Sequence, residues 1–466
     1  MWIKDAVMRH TIRSFLGSLC VLFLAGCAGS LPDVTVLTES TPLTPPGIVG
    51  PKGKLSRTRA RFVLSREGQG ADAEELIQKT VALMESVGGH PLTAGNKITL
   101  LVDGPVTYAA MFKAIEGAKD HINFETYIFS DDEVGREFAD LLMRKQTEGV
   151  QVNLLYDSVG SIDTPAAFFQ RLRDAGLNVL EFNPINPLKV RKKLLTTQRD
   201  HRKVLVIDGK IAFTGGVNIS NVYSSSSFRI GEPSNSKEGW RDTHIQIEGP
   251  AVAELQKSFV QAWRHQKGPS LADRDYFPHL AARGKALAQV IPSFPGEPHR
   301  LTYVMYVAAV KNARYSIDLT MPYFVPDHQM RAAIAQAAER GVDVRIVLPG
   351  TSDSNIVLYA GRSFYSGLLE SGVRLYELRD RMLHAKTAVI DGVWSTVGST
   401  NMDLWSFLHN NEINVIVVGK DFADKMEELF EQDLMASDEV KVEAWSERPF
   451  LNRVKELFAR LLAPWL

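Results

Sequence analysis

One pattern occurs twice in the chain of 466 residues, and it restricts the fold more than any other feature. Both His201–Asn218 and His384–Asn401 read H-x-K-x4-D-x6-G-[G/S]-x-N. A single histidine two residues before a lysine would carry little weight, because such pairs occur by chance. Two copies with every position at the same offset predict two related halves that contribute to one site. The matched positions are His201 and His384, Lys203 and Lys386, Asp208 and Asp391, and Asn218 and Asn401.

The residues after each histidine are apolar and largely β-branched, which predicts a buried strand. Side chains at positions i and i+2 of a strand point the same way. We therefore expect His201 and Lys203 to face one pocket. His384 and Lys386 face that same pocket if the two halves pack about a pseudo-twofold axis. The alternative is a pair of surface strands with unrelated histidines.

Two imidazoles and two ammonium groups in one pocket suit a phosphodiester. A neutral histidine can attack phosphorus while the other, protonated, donates to the departing oxygen. The lysines, together with Asn218 and Asn401, can hold the non-bridging oxygens, where negative charge builds in the transition state. Asp208 and Asp391 fall on the opposite face of their strands, so we expect them to fix the turn before each pair of small residues.

The duplicated pattern resembles the HKD motif of the phospholipase D superfamily, and the resemblance extends from about Leu92 to about Leu434. It implies two α/β/α sandwich domains related by a pseudo-twofold axis. It also implies that His201 is the nucleophile, that His384 is the acid and base, and that Asp208 and Asp391 belong to the catalytic motif, although the symmetry of the motifs alone would allow the opposite roles for the histidines. Other stretches resemble the bacterial cardiolipin synthase branch, namely 96–104, 125–129, 155–161 and 182–184.

Each motif is followed by an acid that lies the same distance before a glycine, Asp242 before Gly249 and Glu412 before Gly419. A nucleophilic imidazole needs one nitrogen held so that the other presents its lone pair, and a carboxylate on Nδ1 does this. In the superfamily, acids downstream of each motif have this role. The resemblance therefore makes Asp242 and Glu412 the candidates, and the alternative is a pair of ordinary charges at the start of strands.

Strand and helix patterns alternate along the chain and repeat in the second half, which predicts an α/β fold. Thr147–Val152 is mirrored by Glu339–Val344, so the duplication is visible within the chain itself. We expect a disordered tether over 28–70, because this stretch is rich in Pro, Thr, Ser and Gly. The other expected divisions are a first domain over 71–267, a linker over 268–296, a second domain over 297–440 and a C-terminal amphipathic helix over 441–466.

The first 27 residues have the composition of a targeting segment. A positive leader precedes an apolar core that is short for a membrane span, and the segment ends in Leu24–Cys27. This end resembles a bacterial lipobox, which implies a lipoprotein signal peptide over 1–27 and lipidation of Cys27. Ala28 follows the cysteine, so the resemblance implies a membrane-anchored lipoprotein of the bacterial envelope with an outer-membrane or periplasm-facing location, and the choice between inner and outer membrane stays open. An ordinary signal peptide or a short uncleaved anchor is the alternative.

Composition excludes some classes of site. Both cysteines, Cys20 and Cys27, lie in this first segment, so the rest of the chain has neither a disulfide nor a cysteine ligand for zinc. No acidic or histidine cluster has metal-ligand spacing, and we expect no metal and no cofactor. The formal net charge is −1, whereas a dedicated nucleic-acid binder is usually basic, so no nucleic-acid partner is expected.

Together these features predict a phosphatidyltransferase that resembles cardiolipin synthase and forms a phosphatidyl-histidine intermediate. The expected partners are a membrane and a phospholipid substrate, phosphatidylglycerol or phosphatidylethanolamine. Water as the acceptor would instead give a phospholipase D with the same residues. A periplasmic nuclease and a non-catalytic lipid-binding lipoprotein are the remaining alternatives. The C-terminal helix can lie in a membrane interface or pack on its own domain.

Overall fold

The structure is a computed structural model, and it describes residues 31–41, 46–68, 71–185, 197–225 and 239–466. The signal peptide expected over 1–27 and the lipidation of Cys27 lie outside the described residues. So do residues 226–238, which follow the first motif.

The described residues 31–41 and 46–68 are folded, which corrects the disorder expected for them as part of the tether over 28–70. Val34, Ile48 and Leu64 are fully buried in the core of the second half, and Nε2 of Gln329 donates to the carbonyl of Pro32. These scattered apolar residues lack a clear period, so only their tertiary partners show that they are buried. The elements are helices Val34–Ser40, Arg57–Gly68 and Ala71–Gly88, with strands β1 (Ile48–Gly50) and β2 (Gly53–Lys54).

The first half forms one mixed sheet with helices between its strands. The strand order is β6-β5-β4-β8-β9-β10-β3, and β4, β5 and β6 are parallel whereas the other pairs are antiparallel. The strands are β3 (Leu92–Val102), β4 (His121–Thr126), β5 (Gln151–Asp157), β6 (Asn178–Phe182), β7 (Arg199–Asp200), β8 (Val204–Ile207), β9 (Ile211–Gly215) and β10 (Thr243–Glu248). The helices are Asp103–Glu116, Glu133–Thr147, Ala166–Asp174 and Val252–His265.

The second half repeats this sheet in the order β14-β13-β12-β15-β16-β17-β11, with the same parallel and antiparallel pairs. The strands are β11 (Ala286–Ser293), β12 (Ser316–Thr320), β13 (Asp343–Pro349), β14 (Arg374–Leu378), β15 (Thr387–Ile390), β16 (Trp394–Gly398), β17 (Asn410–Val418) and β18 (Ser437–Glu439). The helices are Leu301–Asn312, His328–Glu339, Asn355–Arg362, Tyr365–Glu370, Leu404–Leu408, Lys420–Met435, Val442–Ser446 and Phe450–Leu462.

Strand β11 joins the halves, which corrects the expected linker over 268–296. It pairs with β3 of the first half and with β17 of the second. Prolines at 292, 295 and 298 hid this strand in the sequence, because proline is unusual inside a central strand. A shared core of aliphatic side chains from β8 and β10 and from β15 and β17 packs between the halves.

The expected α/β class and the expected duplication are confirmed, because both halves have the same strand order. In the described part of the chain, no helix combines the length and the apolar character that a membrane crossing needs.

Candidate active site

The two motif histidines occupy equivalent places at the entrance to β8 and β15. Residues 201–203 and 384–386 lie just before the strands rather than within them. His201 and Lys203 still border one ring, because the ring of Tyr127 lies 5.0 Å from that of His201 and 5.2 Å from Nζ of Lys203. Nζ of Lys203 donates to the carbonyl of His201 at 2.7 Å, and Nζ of Lys386 donates to that of His384 at 2.5 Å. Each histidine is only 8% exposed.

His201 is held by the opposite half of the chain. Its backbone N–H donates to the carbonyl of Asn411 at 3.0 Å. Its Nδ1 lies 3.0 Å from Oε1 and 3.1 Å from Oε2 of Glu412. Because a carboxylate only accepts, Nδ1 carries the hydrogen and Nε2 presents its lone pair. Glu412 is in turn fixed by the hydroxyl of Ser399 at 2.5 Å and by the amide of Asn410 at 3.2 Å.

His384 is held in the mirrored way by the first half. Its backbone N–H donates to the carbonyl of Arg241 at 2.8 Å, and its Nδ1 lies 2.7 Å from Oδ2 of Asp242. The hydroxyl of Tyr223 lies 3.3 Å from the same nitrogen. Burial alone would raise the pKa of Asp242, but the nearby His384 and Lys386 bring this pKa below its usual value. The carboxylate therefore stays charged beside the imidazole.

These crossed contacts bring the two motifs to one site. The residue before each acid binds the backbone of the opposite histidine, and the acid itself binds the ring. Arg241 strengthens the junction, because its guanidinium bonds Asp433 of the second half at 2.7 and 2.8 Å in a fully buried ion pair. Breaking a pair of this kind leaves an unpaired buried charge and is costly.

The two lysines share this buried site and repel each other. Burial, followed by the charge of Lys386, lowers the pKa of Lys203 to about 7. Burial lowers the pKa of Lys386 to about 8, although Asp242 and Glu412 oppose that change. An anion placed between the ammonium groups would relieve the repulsion. The two lysines therefore give the site a positive charge that a bound phosphate would neutralise.

Both imidazoles are neutral near pH 7 in the free protein. Burial and the charge of Lys386 lower the pKa of His384 to about 4, against the opposing effect of Asp242. Burial lowers the pKa of His201 as well, and Glu412 opposes this change. A bound anion adds negative charge and raises the pKa of both histidines. Substrate binding would therefore be accompanied by uptake of the proton that the acid needs.

The two motif asparagines differ. Asn218 is already engaged, because its Oδ1 accepts from the backbone N–H of Ile128 at 3.2 Å and its Nδ2 donates to the hydroxyl of Tyr223 at 2.9 Å. Asn401 is buried, and its Oδ1 has no hydrogen-bond partner among the described residues. The described residues give Nδ2 of Asn401 no partner either, so this amide can donate to a ligand oxygen, whereas Asn218 positions Tyr223.

Asp208 and Asp391 lie at the far end of their strands, about 16 Å from the lysines at strand spacing. The carboxylate of Asp208 accepts from the backbone N–H groups of 119–121, and that of Asp391 accepts from those of 314–316. Both residues have a positive φ, 51° and 52°. They bind the turn to the start of the neighbouring strand, as the strand alternation predicts, and they do not reach the histidines.

The difference between Gly216 and Ser399 also has a structural reason. A Cβ atom at position 216 would lie 2.0 Å from Oδ1 of Asp242, so only glycine leaves room for that carboxylate. In the second half, the serine hydroxyl supports the longer Glu412 instead. The two half-sites thus hold their carboxylates, those of Asp242 and Glu412, in place with different neighbouring residues.

Aromatic residues that the motifs did not indicate line the site. The ring of Tyr127 lies 5.0 Å from that of His201, and Trp240 lies 5.2 Å from that of His384. Tyr127 falls in the stretch 125–129 noted in the sequence, whereas Tyr223 and Trp240 carry no pattern that would have revealed them. A cavity of about 650 Å³ opens beside Trp240 and is lined by Val222, Thr351, Arg381 and Met382, among others. Across the described ranges, no group of three or more His, Cys, Asp or Glu residues could hold a metal ion.

Duplicated halves that each supply one histidine and one lysine to a shared site define the phospholipase D-like class. A family model described as "Cardiolipin synthase, PLD-like domain" matches residues 111–231 and 306–434. A cardiolipin synthase of Geobacillus kaustophilus is 37% identical over 385 residues, or 82% of this chain and 74% of that protein. Another, from Halalkalibacterium halodurans, is 32% identical over 433 residues, 90% and 84% of the two chains. The chain belongs to this cardiolipin synthase family.

A solved structure supports the fold. The phosphatidylserine synthase of Haemophilus influenzae matches with a TM-score of 0.59 and 16% identity, over 82% of this chain and 97% of that one. The likeness is one of architecture, and it covers both halves.

Proposed function

We propose that the protein is a phospholipid phosphatidyltransferase that resembles cardiolipin synthase and works through a phosphatidyl-histidine intermediate. One observation carries the proposal: each histidine is held at Nδ1 by an acid of the other half, with two lysines of lowered pKa beside them. The related proteins named above support a phospholipid substrate.

In the first step, Nε2 of His201 attacks the phosphorus of a phosphatidyl donor. The bond from phosphorus to the departing alcohol breaks, and His384, protonated in the substrate complex, gives its proton to that alcohol oxygen. Lys203, Lys386 and the amide of Asn401 bind the non-bridging oxygens as their charge grows. Glu412 stabilises the positive charge that develops on the His201 ring.

In the second step, His384 acts as a base. It removes the proton of an acceptor hydroxyl, whose oxygen attacks phosphorus and releases His201. The cavity is lined by Trp240, whose ring lies 5.2 Å from that of His384, and we assign it to the acceptor alcohol. If the acceptor is phosphatidylglycerol, the products are cardiolipin and, from a phosphatidylglycerol donor, free glycerol.

The proposal includes the cellular setting expected from the leader: Cys27 is lipidated and the protein is anchored in the bacterial envelope, facing the periplasm. Metabolic labelling with a radioactive fatty acid tests this point. We expect label in the parent chain and none in Cys27→Ala. Label in both the parent and the Cys27→Ala protein would mean that the fatty acid is attached at another residue.

The deciding experiment is to supply the purified protein with phosphatidylglycerol or phosphatidylethanolamine, add glycerol or water as a competing acceptor, and identify the products by mass spectrometry. Cardiolipin supports the transferase, whereas phosphatidic acid alone would make the protein a phospholipase D. We expect His201→Ala to reduce transfer to a barely measurable residual rate while leaving the circular dichroism spectrum unchanged, and chelator to leave transfer intact. Strict dependence on a metal ion would contradict the mechanism.

A further inference from the structure

The C-terminal helix Phe450–Leu462 turns its large apolar side chains away from the protein. A helix that packs on its own domain directs its apolar stripe to the core. This helix does the opposite, so its stripe has no cover from the described part of the chain. The stripe consists of Phe450, Leu451, Leu457, Phe458 and Leu461, which are between 61% and 75% exposed.

The opposite side of the helix is already docked. Ala459 is buried in a small apolar cluster, and the buried carboxylate of Glu456 pairs with Arg448 at 2.8 Å. The end of the chain is also fixed, because the backbone N–H of Trp405 donates to the carbonyl of Leu466 at 3.1 Å. The helix cannot turn its stripe inward without breaking this buried ion pair.

Positive charge flanks the stripe. Arg453, Lys455 and Arg460 are exposed, whereas the one acid of the helix, Glu456, is buried and paired. Lys455 and Arg460 lie over aromatic rings of the neighbouring region, with their charged groups 5.1 and 5.2 Å from the ring centres. An apolar stripe bordered by cations matches the boundary between acyl chains and anionic phosphate headgroups.

The helix is also close to the active site in the fold. It packs on the helix Asn355–Arg362, which begins two residues after Asp353. The carboxylate of Asp353 accepts from the hydroxyl of Tyr323 at 2.7 Å. Burial lowers the pKa of Lys386, and the charges of Asp242, Glu412 and Asp353 oppose this change, so Asp353 lies near the motif lysine. Only one helix therefore separates the stripe from residues around the site.

We infer that this stripe inserts into the surface of an anionic bilayer and holds the mouth of the active site against the lipid. The inference rests on the proposed function for the identity of the substrate, but membrane contact at this helix does not depend on turnover. It adds a second, non-covalent attachment to the one proposed for Cys27.

A local fluorescent probe tests the contact in the full chain. Cys20 and Cys27 are replaced by alanine, and an environment-sensitive dye is attached at Phe458→Cys. Phe277→Cys serves as the matched control: it is an exposed aromatic position. This control position is remote from the site. Its neighbours Tyr276 and Pro278 contact the turn at Gly209, which lies at the end of β8 opposite to His201.

With vesicles of phosphatidylglycerol and phosphatidylethanolamine, we expect a blue shift at position 458 and quenching by spin-labelled lipid, with neither effect at position 277. An unchanged probe at 458 would overturn the inference. A shift that follows protein concentration rather than vesicles would also overturn it, because the stripe would then be an interface between copies of the chain.

A second measurement compares transfer on vesicles with transfer on short-chain lipid below its critical micelle concentration. The triple variant Leu457→Gln, Phe458→Ser, Leu461→Gln should lose ~10-fold or more on vesicles and keep its rate on the dispersed lipid. Phe277→Ser should keep both rates. Equal losses on both substrates would contradict the inference, whereas inactivity of the parent on both would count against the proposed function and leave the probe result valid.

Discussion

Glu412 lies 3.0 Å from Nδ1 of His201, although the two residues belong to different halves of the chain. The same relation is found between Asp242 and His384 at 2.7 Å. Neither half therefore supplies both a motif histidine and the acid that orients it. The duplication produces one site because each half orients the histidine of the other.

The first prediction concerns this crossed support. Glu412→Gln should lower kcat ~10²–10⁴-fold, because an amide can no longer stabilise the imidazolium or select the tautomer. The effect should almost disappear when His201 is already alanine, since the two residues act as a unit. Steady-state kinetics of the single and double variants measure this coupling. If the losses of kcat caused by the Glu412 and His201 substitutions were additive, the assignment of Glu412 as the partner of His201 would be wrong.

The second prediction separates stability from activity. Lys203→Met should abolish transfer and raise the free energy of unfolding by ~1–3 kcal/mol, because it removes a desolvated charge that Lys386 repels. Chemical denaturation at pH 6, where Lys203 is charged in the parent, measures the gain. Lys97→Met is the control, since Lys97 is exposed and pairs only with Glu248 at the surface. A destabilised Lys203→Met protein would disprove the argument.

The third prediction concerns pH. Lysines with pKa values of about 7 and about 8 are protonated at pH 6 and lose their protons as the pH rises through that range. The affinity for a phosphodiester, whose charge is constant over this range, should therefore fall from pH 6 to pH 9. At pH 8, binding should take up protons, which calorimetry in buffers of different ionisation enthalpy measures. Constant affinity to pH 9 without proton uptake would refute the lysine assignment.

The fourth prediction tests the space at Gly216. Gly216→Ala places a methyl group 2.0 Å from Oδ1 of Asp242, so the carboxylate must leave its place beside His384. We expect a loss of activity of ~100-fold or more, with a smaller effect on melting temperature. Gly367→Ala is the control, because nothing lies within 4 Å of its added Cβ in the helix Tyr365–Glu370. Full activity of Gly216→Ala would show that Asp242 does not need this position.

The fifth prediction distinguishes the two asparagines. Asn401→Ala should raise KM and lower kcat without loss of stability, because the described residues give its side-chain amide no hydrogen-bond partner and leave Nδ2 to donate to the phosphate. Asn218→Ala should destabilise the protein by ~1–2 kcal/mol, because Ile128 N–H and Tyr223 lose a buried partner. Thermal unfolding and kinetics on both variants check the contrast. If Asn401→Ala instead lost stability and Asn218→Ala lost only activity, Asn218 would be the residue that binds the substrate.

Local features of the site were predictable because they depend on residues close together in the chain. The offset between His201 and Lys203 places both on one side of an extended segment wherever that segment lies. Asp208 and Asp391 fall at turns because a positive φ and a backbone-binding carboxylate are needed there. Alternating strand and helix patterns likewise determined the class of the fold and its duplication.

Tertiary packing decided the rest. No spacing in the chain states that Glu412 meets His201 rather than His384, because that choice depends on how two equivalent sheets pack across β3 and β11. Tyr223 became a neighbour of His384 for the same reason. Val34, Ile48 and β11 lie in stretches with weak periodicity, and only the surfaces that cover them make them part of the core. The amphipathic C-terminal helix was visible in the sequence, but which side would face the protein was settled by a buried ion pair and a small-residue contact.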